Sequence, residues 1–366
     1  MGREAKKCQQ CGKQIYFEGL CISCQMENQR KKILALSPTE IEAEIQQICQ
    51  EIETTGQLEQ KENLFKKLVN YRDIDTTKIA KAAFSQKLFY PYQMYKNAPP
   101  EVIQSMFTML KQKDSLSTTT DNMLLCLAVH GGKEVLQGFL ELENKEWTKK
   151  LYTNLSSYAT FGGWFFDNNG NFLKTIFDQC YLIQKTTQKK DTPIKIGVRT
   201  NEKCPSCGCE IVNIMEIDGR DSRLHFIGID GVIKAKCCPN CFLYSDAHFC
   251  RYTIDGESEI MFDKGYFIKY NDWEEKQIAE LSSHTYVLSD NSVPLRYVED
   301  WDEGSAIGGF AFWIDDCNIK KCPVCGKPMK YLAQIQWDMI DENMEGNIYI
   351  EICTDCHIMA ILHQQT

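Results

Sequence analysis

The stretch KCPVCGKPMKYLAQI, residues 321–335, holds Cys322 and Cys325 two residues apart, with a proline inside the pair and Gly326 directly behind it. Two thiolates fill only half of a tetrahedral metal shell, so the turn needs a second pair elsewhere in the chain. A near copy of its opening, KCPSCG, stands at 203–208 and raises the same demand. The missing halves are CPNC at 238–241 and CTDC at 353–356. From second to third cysteine the separation is 31 positions in the first copy and 28 in the second, a difference that fits inside a hairpin loop.

The text between the pairs matches in kind. Apolar runs follow the first pair, IVNIMEI at 211–217 and MKYLAQI at 329–335. Turn-rich segments come next, DGRDSR and DENMEG, and then strands that run into the second pair, GVIKAKC and NIYIEIC. The pattern predicts two successive zinc ribbons of one design, each mounting two knuckles on β-hairpins so that four sulfurs meet about 2.3 Å from the metal. Gly208 and Gly326, directly behind the first knuckles, supply the positive φ that aims backbone N–H groups at thiolates.

Cysteine spacing extends the reading to the whole chain. Of nineteen cysteines, twelve fall into six C-x-x-C pairs. These predict three four-thiolate sites: Cys8, Cys11, Cys21 and Cys24; Cys204, Cys207, Cys238 and Cys241; Cys322, Cys325, Cys353 and Cys356. The expected cofactor is therefore three structural Zn ions. Cys209 and Cys237 each adjoin a ligand and compete for its place, as His357 does with Cys356; the matched C-x-x-C spacing favours the paired set. Cys49 and Cys126 fall on apolar helix faces and read as core. A closed four-sulfur shell leaves no position for water or substrate, which points to scaffold and away from metal catalysis.

The 366 residues are 43% hydrophobic and 25% charged, ordinary for a globular chain of two or three domains. No run of 18 apolar residues suggests a membrane span, and MGREAKKCQQCG lacks the features of an export signal. A cytoplasmic location is the expectation, and reducing cytosol disfavours disulfides. The formal net charge is −9, and twelve thiolates holding three Zn ions take it to roughly −15. Such a field repels nucleic acid and attracts a basic protein.

Four regions separate, and the fold class is α+β. Residues 1–36 carry CQQC and CISC around GKQIYFEGL, a knuckle, a hairpin and a knuckle opening a helix, the layout of a treble-clef-like zinc finger. Residues 37–150 are all-α and HEAT-like. There Ser37-Pro38-Thr39-Glu40 is a capping box, Ile41, Ile45, Ile48 and Ile52 form a stripe, and Gly56 offers a stop. Asp75 caps a further helix, Pro99-Pro100 opens another carrying Val102, Ile103, Met106, Phe107 and Leu110, and Gly131-Gly132 breaks a last pair. Residues 151–200 read as an aromatic hairpin turning at Asp167-Asn168-Asn169-Gly170, with Phe161, Trp164, Phe165 and Phe166 in the core, and a linker at 185–193. Residues 201–366 are the duplicated domain.

The segment from about 190 onward resembles the bacterial YwqG-like family of unknown function, which is similar to programmed cell death protein 2. The likeness is carried by IGGFAFWIDD at 307–316, by CPVCGKPMKYLAQIQWD behind it, and by the final IYIEICTDC. Ala311 stands where that family usually has proline and Asp315 where it usually has glutamine. The resemblance implies a β-rich duplicated domain whose relatives bind proteins, some as chaperones of a ribosomal protein and some as suspected immunity proteins.

No metalloprotease, P-loop, nucleophile-elbow or dinucleotide motif is present, and the six histidines (130, 225, 248, 284, 357, 363) include no pair at i, i+4. Asp230 and Asp302 read as solvated or turn-forming. The expectation is a non-enzymatic, cytoplasmic, zinc-stabilised protein-binding adaptor, in its sharpest form an immunity protein that neutralises a basic toxin. A nucleic-acid- or ribosome-associated role, or chaperoning of a ribosomal protein, is the alternative.

Overall fold

The computed structural model describes residues 5–113, 115, 117–188, 191–261, 270–273, 275–299, 304–341 and 344–365. Asp302, Lys189, Lys190, Glu342 and Asn343 lie outside the described residues. The chain divides into two compact units, Met1–Leu151 and Tyr152–Thr366.

In the first unit, the strands β1 (Lys6–Lys7) and β2 (Gln14–Ile15) pair antiparallel, and α1 (Ile22–Ala35) starts with Cys21 as its N-cap. The end of α1 is held by Arg72, whose Nη1 donates to the carbonyls of Ile33, Leu34 and Leu36 at 3.0, 2.9 and 2.7 Å. A guanidinium thereby satisfies acceptors that a helix terminus leaves open. The capping box forms as read. Glu40 N donates to Ser37 Oγ and Ser37 N to Glu40 Oε2, so α2 (Pro38–Thr55) begins at Pro38; it ends at Gly56, φ 71°. Ile45, Ile48 and Ile52 are buried, while Ile41 at the start of the stripe is half-buried.

The Glu51 carboxylate accepts N–H bonds from Glu59, Gln60 and Lys61 and fixes the turn into α3 (Glu62–Arg72). Asp75 Oδ1 accepts from Thr77 N at 2.8 Å at the head of α4 (Thr77–Ser85). The helix α5 (Pro100–Lys111) buries Val102, Ile103, Met106, Phe107 and Leu110, and Gly131 separates α6 (Thr118–His130) from α7 (Gly132–Leu142). Among the described residues no helix is long and apolar enough to cross a membrane.

The second unit opens with α8 (Leu155–Thr160) and the hairpin of β3 (Trp164–Phe166) and β4 (Phe172–Lys174). Trp164 and Phe166 are buried, and Trp164 stacks on Phe172 at 5.3 Å. The aromatics here are mainly packing. Residues 151–200 are no separate hairpin-and-linker region, because β5 (Cys180–Thr186) and β6 (Ile194–Lys203) are strands of the two main sheets. The polar run between them resembled a linker because a connection crossing between sheets is itself solvated.

The smaller sheet is β6, β7 (Glu210–Asp218) and β8 (Val232–Cys237) in that order. The larger sheet also takes in β9 (His248–Tyr252), β10 (Ser258–Met261), β11 (Thr285–Leu288), β12 (Ser305–Gly308), β13 (Lys330–Gln336), β14 (Asn347–Cys353) and β15 (Ile358–Gln364). Its order is β10-β9-β15-β14-β13-β12-β5-β11, antiparallel throughout. Two short helices, α9 (Glu275–Leu281) and α10 (Trp337–Ile340), complete the unit.

Both cysteine-bearing copies run cysteine pair, strand, strand, cysteine pair, strand. They are not self-contained, however. The last strand of the first copy, β9, pairs with the last strand of the second, β15, with Cys250 opposite Met359. Burial explains the exchange: β14 and nearly all of β15 are buried, as β-strands covered on both faces must be.

The Gly-Gly-aromatic signature becomes a strap, 309–316, lying on the larger sheet. Gln334 Oε1 accepts from Phe312 N, Tyr349 Oη donates to Phe312 O at 2.6 Å, and Gln364 Oε1 accepts from Ile314 N and Asp315 N. Buried side chains thus satisfy a backbone segment that has no strand partner. The strap leaves β12 at Gly308, φ 78°, where a Cβ would lie 2.0 Å from Gln179 O.

Gly308→Ala should destabilise the second unit by about 2–4 kcal/mol, read as a shift of its denaturant midpoint. Gly228→Ala shares the φ, at 77°, but meets nothing within 4 Å, and should cost only about 1 kcal/mol. Equal losses would contradict the close approach.

Candidate metal centres

Three first knuckles have one backbone. The N–H of Cys8 donates to Lys13 O, that of Cys204 to Cys209 O and that of Cys322 to Lys327 O, each at 2.8 Å. In each the following glycine returns a bond to the first cysteine's carbonyl: Gly12 to Cys8, Gly208 to Cys204, Gly326 to Cys322. The glycines have φ 75°, 74° and 71°, and a Cβ at any of them would meet nothing within 4 Å. Glycine is required there by the backbone angle alone. Gly208 and Gly326 behave as expected. Gly12 was missed, although the repeated C-x-x-C-G carried the signal.

The second knuckles differ. Cys21 caps α1, so the finger's second pair rides on a helix start. Cys238 and Cys241 close β8, whereas Cys353 and Cys356 join β14 to β15. In each centre the four sulfurs lie within 4.8 Å of one another. Individual separations are 3.6 Å for Cys11 to Cys21, 3.7 Å for Cys204 to Cys241, 3.5 Å for Cys207 to Cys238 and 3.8 Å for Cys325 to Cys353. Four sulfurs about 2.3 Å from a central ion sit about 3.8 Å apart in a tetrahedron. The spacing fits a metal ion, and soft thiolate donors suit zinc or iron.

The rivals for these places stand outside the three groups. Cys209 is buried beside Cys238, but its Sγ is turned to Glu210 O, and it stands outside the four. Cys237 is fully buried, and burial pushes its thiol far up, as befits a neutral core group. His357 adopts φ 56° and stacks on Tyr252 at 5.3 Å. Among the other thiols, Cys126 donates to Phe89 O, and burial pushes Cys180 up to about 12.

Backbone donors prepare the ligand thiols for ionisation. N–H groups of Cys11 and Cys21 hold Cys8 down at about 5, with Cys21 N 3.2 Å from its Sγ. At Cys325 the N–H of Lys327 has the same effect. Burial pushes Cys24 the other way, to about 12, with neighbouring sulfurs adding to it. Four crowded sulfurs cannot all carry charge unaided, and a divalent cation resolves that conflict.

The first and third centres along the chain each carry an exposed ligand, Cys11 and Cys325, while in the second Cys204, Cys238 and Cys241 are at most 2% exposed and Cys207 is half-buried. Two residues before Cys353, fully buried Glu351 accepts from Lys320 N at 2.8 Å and leaves Oε1 without a partner. Burial raises its carboxyl to about 8, against the Lys320 bond.

Comparison with known proteins adds one relative. The chain is 25% identical over 290 residues to the uncharacterized protein YpfL of Salmonella typhimurium, across 74% of this chain and 64% of that protein. The match spans less than two thirds of the relative's length. It is too long to lie within the C-terminal half alone, so it takes in part of the first unit as well. No family model and no solved structure matches.

A chelator added to the metal-loaded chain should empty the centres of Cys11 and Cys325 before that of Cys204, as release in two phases of about two ions and one. A single phase would contradict this order of exposure. The buried carboxyl has its own signature. An unfolded glutamate titrates at about 4.3, so the folded chain holds the Glu351 proton more tightly. Its contribution is full below that value and is lost as pH rises toward about 8. Glu351→Gln should flatten the stability of the second unit between about pH 6 and 8, measured by denaturation with the metal retained.

Proposed function

We propose that the chain is a protein-binding adaptor stabilised by three structural zinc ions, and that it serves as an immunity protein against a basic toxin. The observation that carries this reading is closure: each centre brings together four cysteine sulfurs, enough to fill a tetrahedral shell. Zinc so held shapes loops and contributes folding energy, and it has no open site at which to activate water. The reading takes the finger as a treble clef, the helices of the first unit as a HEAT-like arm, and the paired copies as interlocked zinc ribbons.

The likeness of 307–316 and its flanks to the YwqG-like family supports protein binding, since the relatives of that family bind proteins. An acidic chain speeds capture of a basic partner through long-range attraction. A single feature favours the rival, a nucleic-acid-associated finger: Lys7 and Lys13 are exposed within the same short segment as exposed Tyr16 and Phe17. Aromatic faces among cations suit single strands.

A toxin encoded beside this chain should co-purify with it, and deletion of the chain should leave the cells sensitive to that toxin. Survival unchanged by deletion contradicts the immunity reading. A mobility shift with RNA that weakens steeply with salt supports the rival.

A further inference from the structure

We propose that the cleft between the strap and the β13–β14 turn is a docking site for a basic segment of a partner protein, one that alternates arginine or lysine with apolar side chains. The assignment rests on the protein-binding reading above and names the surface that carries it. The cleft measures about 260 Å³. Phe312 and Ile314 of the strap and Met344 and Gly346 of the turn line it, with Asp338 and Glu345 alongside. At that size it takes one or two side chains and not a drug-sized molecule.

Its walls are fixed before anything binds. Tyr349 Oη and Asn347 Nδ2 both donate to Phe312 O, at 2.6 and 3.4 Å. Across the turn, Trp337 N donates to Gly346 O at 3.0 Å, and Gly346 has φ 95° with Gln364 O where a Cβ would stand. Rigid walls reduce the ordering cost of binding.

Charge selects the occupant. Asp338 and Glu345 are exposed, and among the described residues no lysine, arginine or histidine lines the cleft. Elsewhere in this unit Glu299, Asp246 and Asp355 each hold a cation, whereas Asp338 and Glu345 pair with none among the described residues. Asp315 and Asp316, exposed, end the strap. Another hollow, on the smaller sheet, shows the contrast: its Arg199, Lys234 and Lys236 are matched by Glu210, Glu216 and Glu202. There the charges are already balanced. In the cleft, negative charge borders a floor of Phe312, Ile314 and Met344, with Gln336 and Asn347 completing the lining, and among the described residues no cation pairs with it. An arginine or lysine lays its aliphatic stem on such a floor and its cation at the carboxylates. A neighbouring apolar side chain fills the rest.

The test uses the full metal-loaded chain and a short fluorescein-labelled peptide alternating arginine and leucine. The peptide should bind, and the Asp338→Asn/Glu345→Gln double variant should bind it roughly fivefold more weakly with its metal content intact. Removing two exposed charges in the first unit, Glu53→Gln/Glu59→Gln, should change binding little. The Met344 methyl resonance should move on titration. A peptide with glutamate for arginine should not bind, and oligoarginine should bind more weakly than the alternating peptide. Equal loss in both double variants, or an unmoved Met344 signal, overturns the assignment by reducing binding to general acidity. If the cleft variant still captures a protein partner at full strength, the cleft proposal falls and the adaptor reading stands. If the intact chain captures no protein yet binds the peptide at Met344, the adaptor reading falls and the cleft stands.

Discussion

Three times in this chain cysteine sulfurs meet in fours, and the segments that carry them are built around that meeting. A thiolate shell demands four donors at one radius and at tetrahedral angles, and only a backbone fixed to a fraction of an ångström supplies that. The recurring knuckle is how the chain does so. Two bonds close a tight loop on the first cysteine, and a glycine with positive φ turns the following N–H groups back toward the sulfurs. The same element appears at 8–13, 204–209 and 322–327, in a finger of two-residue strands and in two much larger sheets. Local chemistry, and not the surrounding architecture, sets its form.

The two later centres are joined through the larger sheet. Because β9 crosses from one copy to pair with β15 of the other, the strand leaving each second knuckle is braced by its counterpart. The strap then covers the face on which Cys322 and Cys353 sit, packed with Tyr331 and Tyr349. Trp313 of the strap lies on Tyr349 at 4.4 Å, where stacking adds to the hydrogen bonds that hold the segment. Metal site, strap and cleft are consecutive along the same strands, so rigidity contributed at one end of β14 reaches the other.

The sequence made the centres legible because spacing is a local property and four-sulfur chemistry has few solutions. Six pairs at C-x-x-C spacing lead to three clusters, and Cys209, Cys237 and His357 stand outside them. The helix signals at Ser37, Gly56, Pro99-Pro100 and Gly131 were equally local, and helices stand there. Pairing at a distance could not be read. Nothing in KTTQKKDTP distinguishes a linker from a crossover between sheets, since both are polar in sequence. Nor does the strand run after CPNC announce that it will join the other copy. The cleft was invisible for the same reason, because its walls come from 312–314 and 344–346 and meet only in the folded sheet.

The claim that carries the rest is metal stoichiometry, and elemental analysis of the purified full chain, prepared without added metal, measures it directly. Three zinc ions per chain, all lost with unfolding when the thiols are alkylated, is the result expected from three complete sulfur shells. One ion or none, with the second unit still folded, would contradict the account.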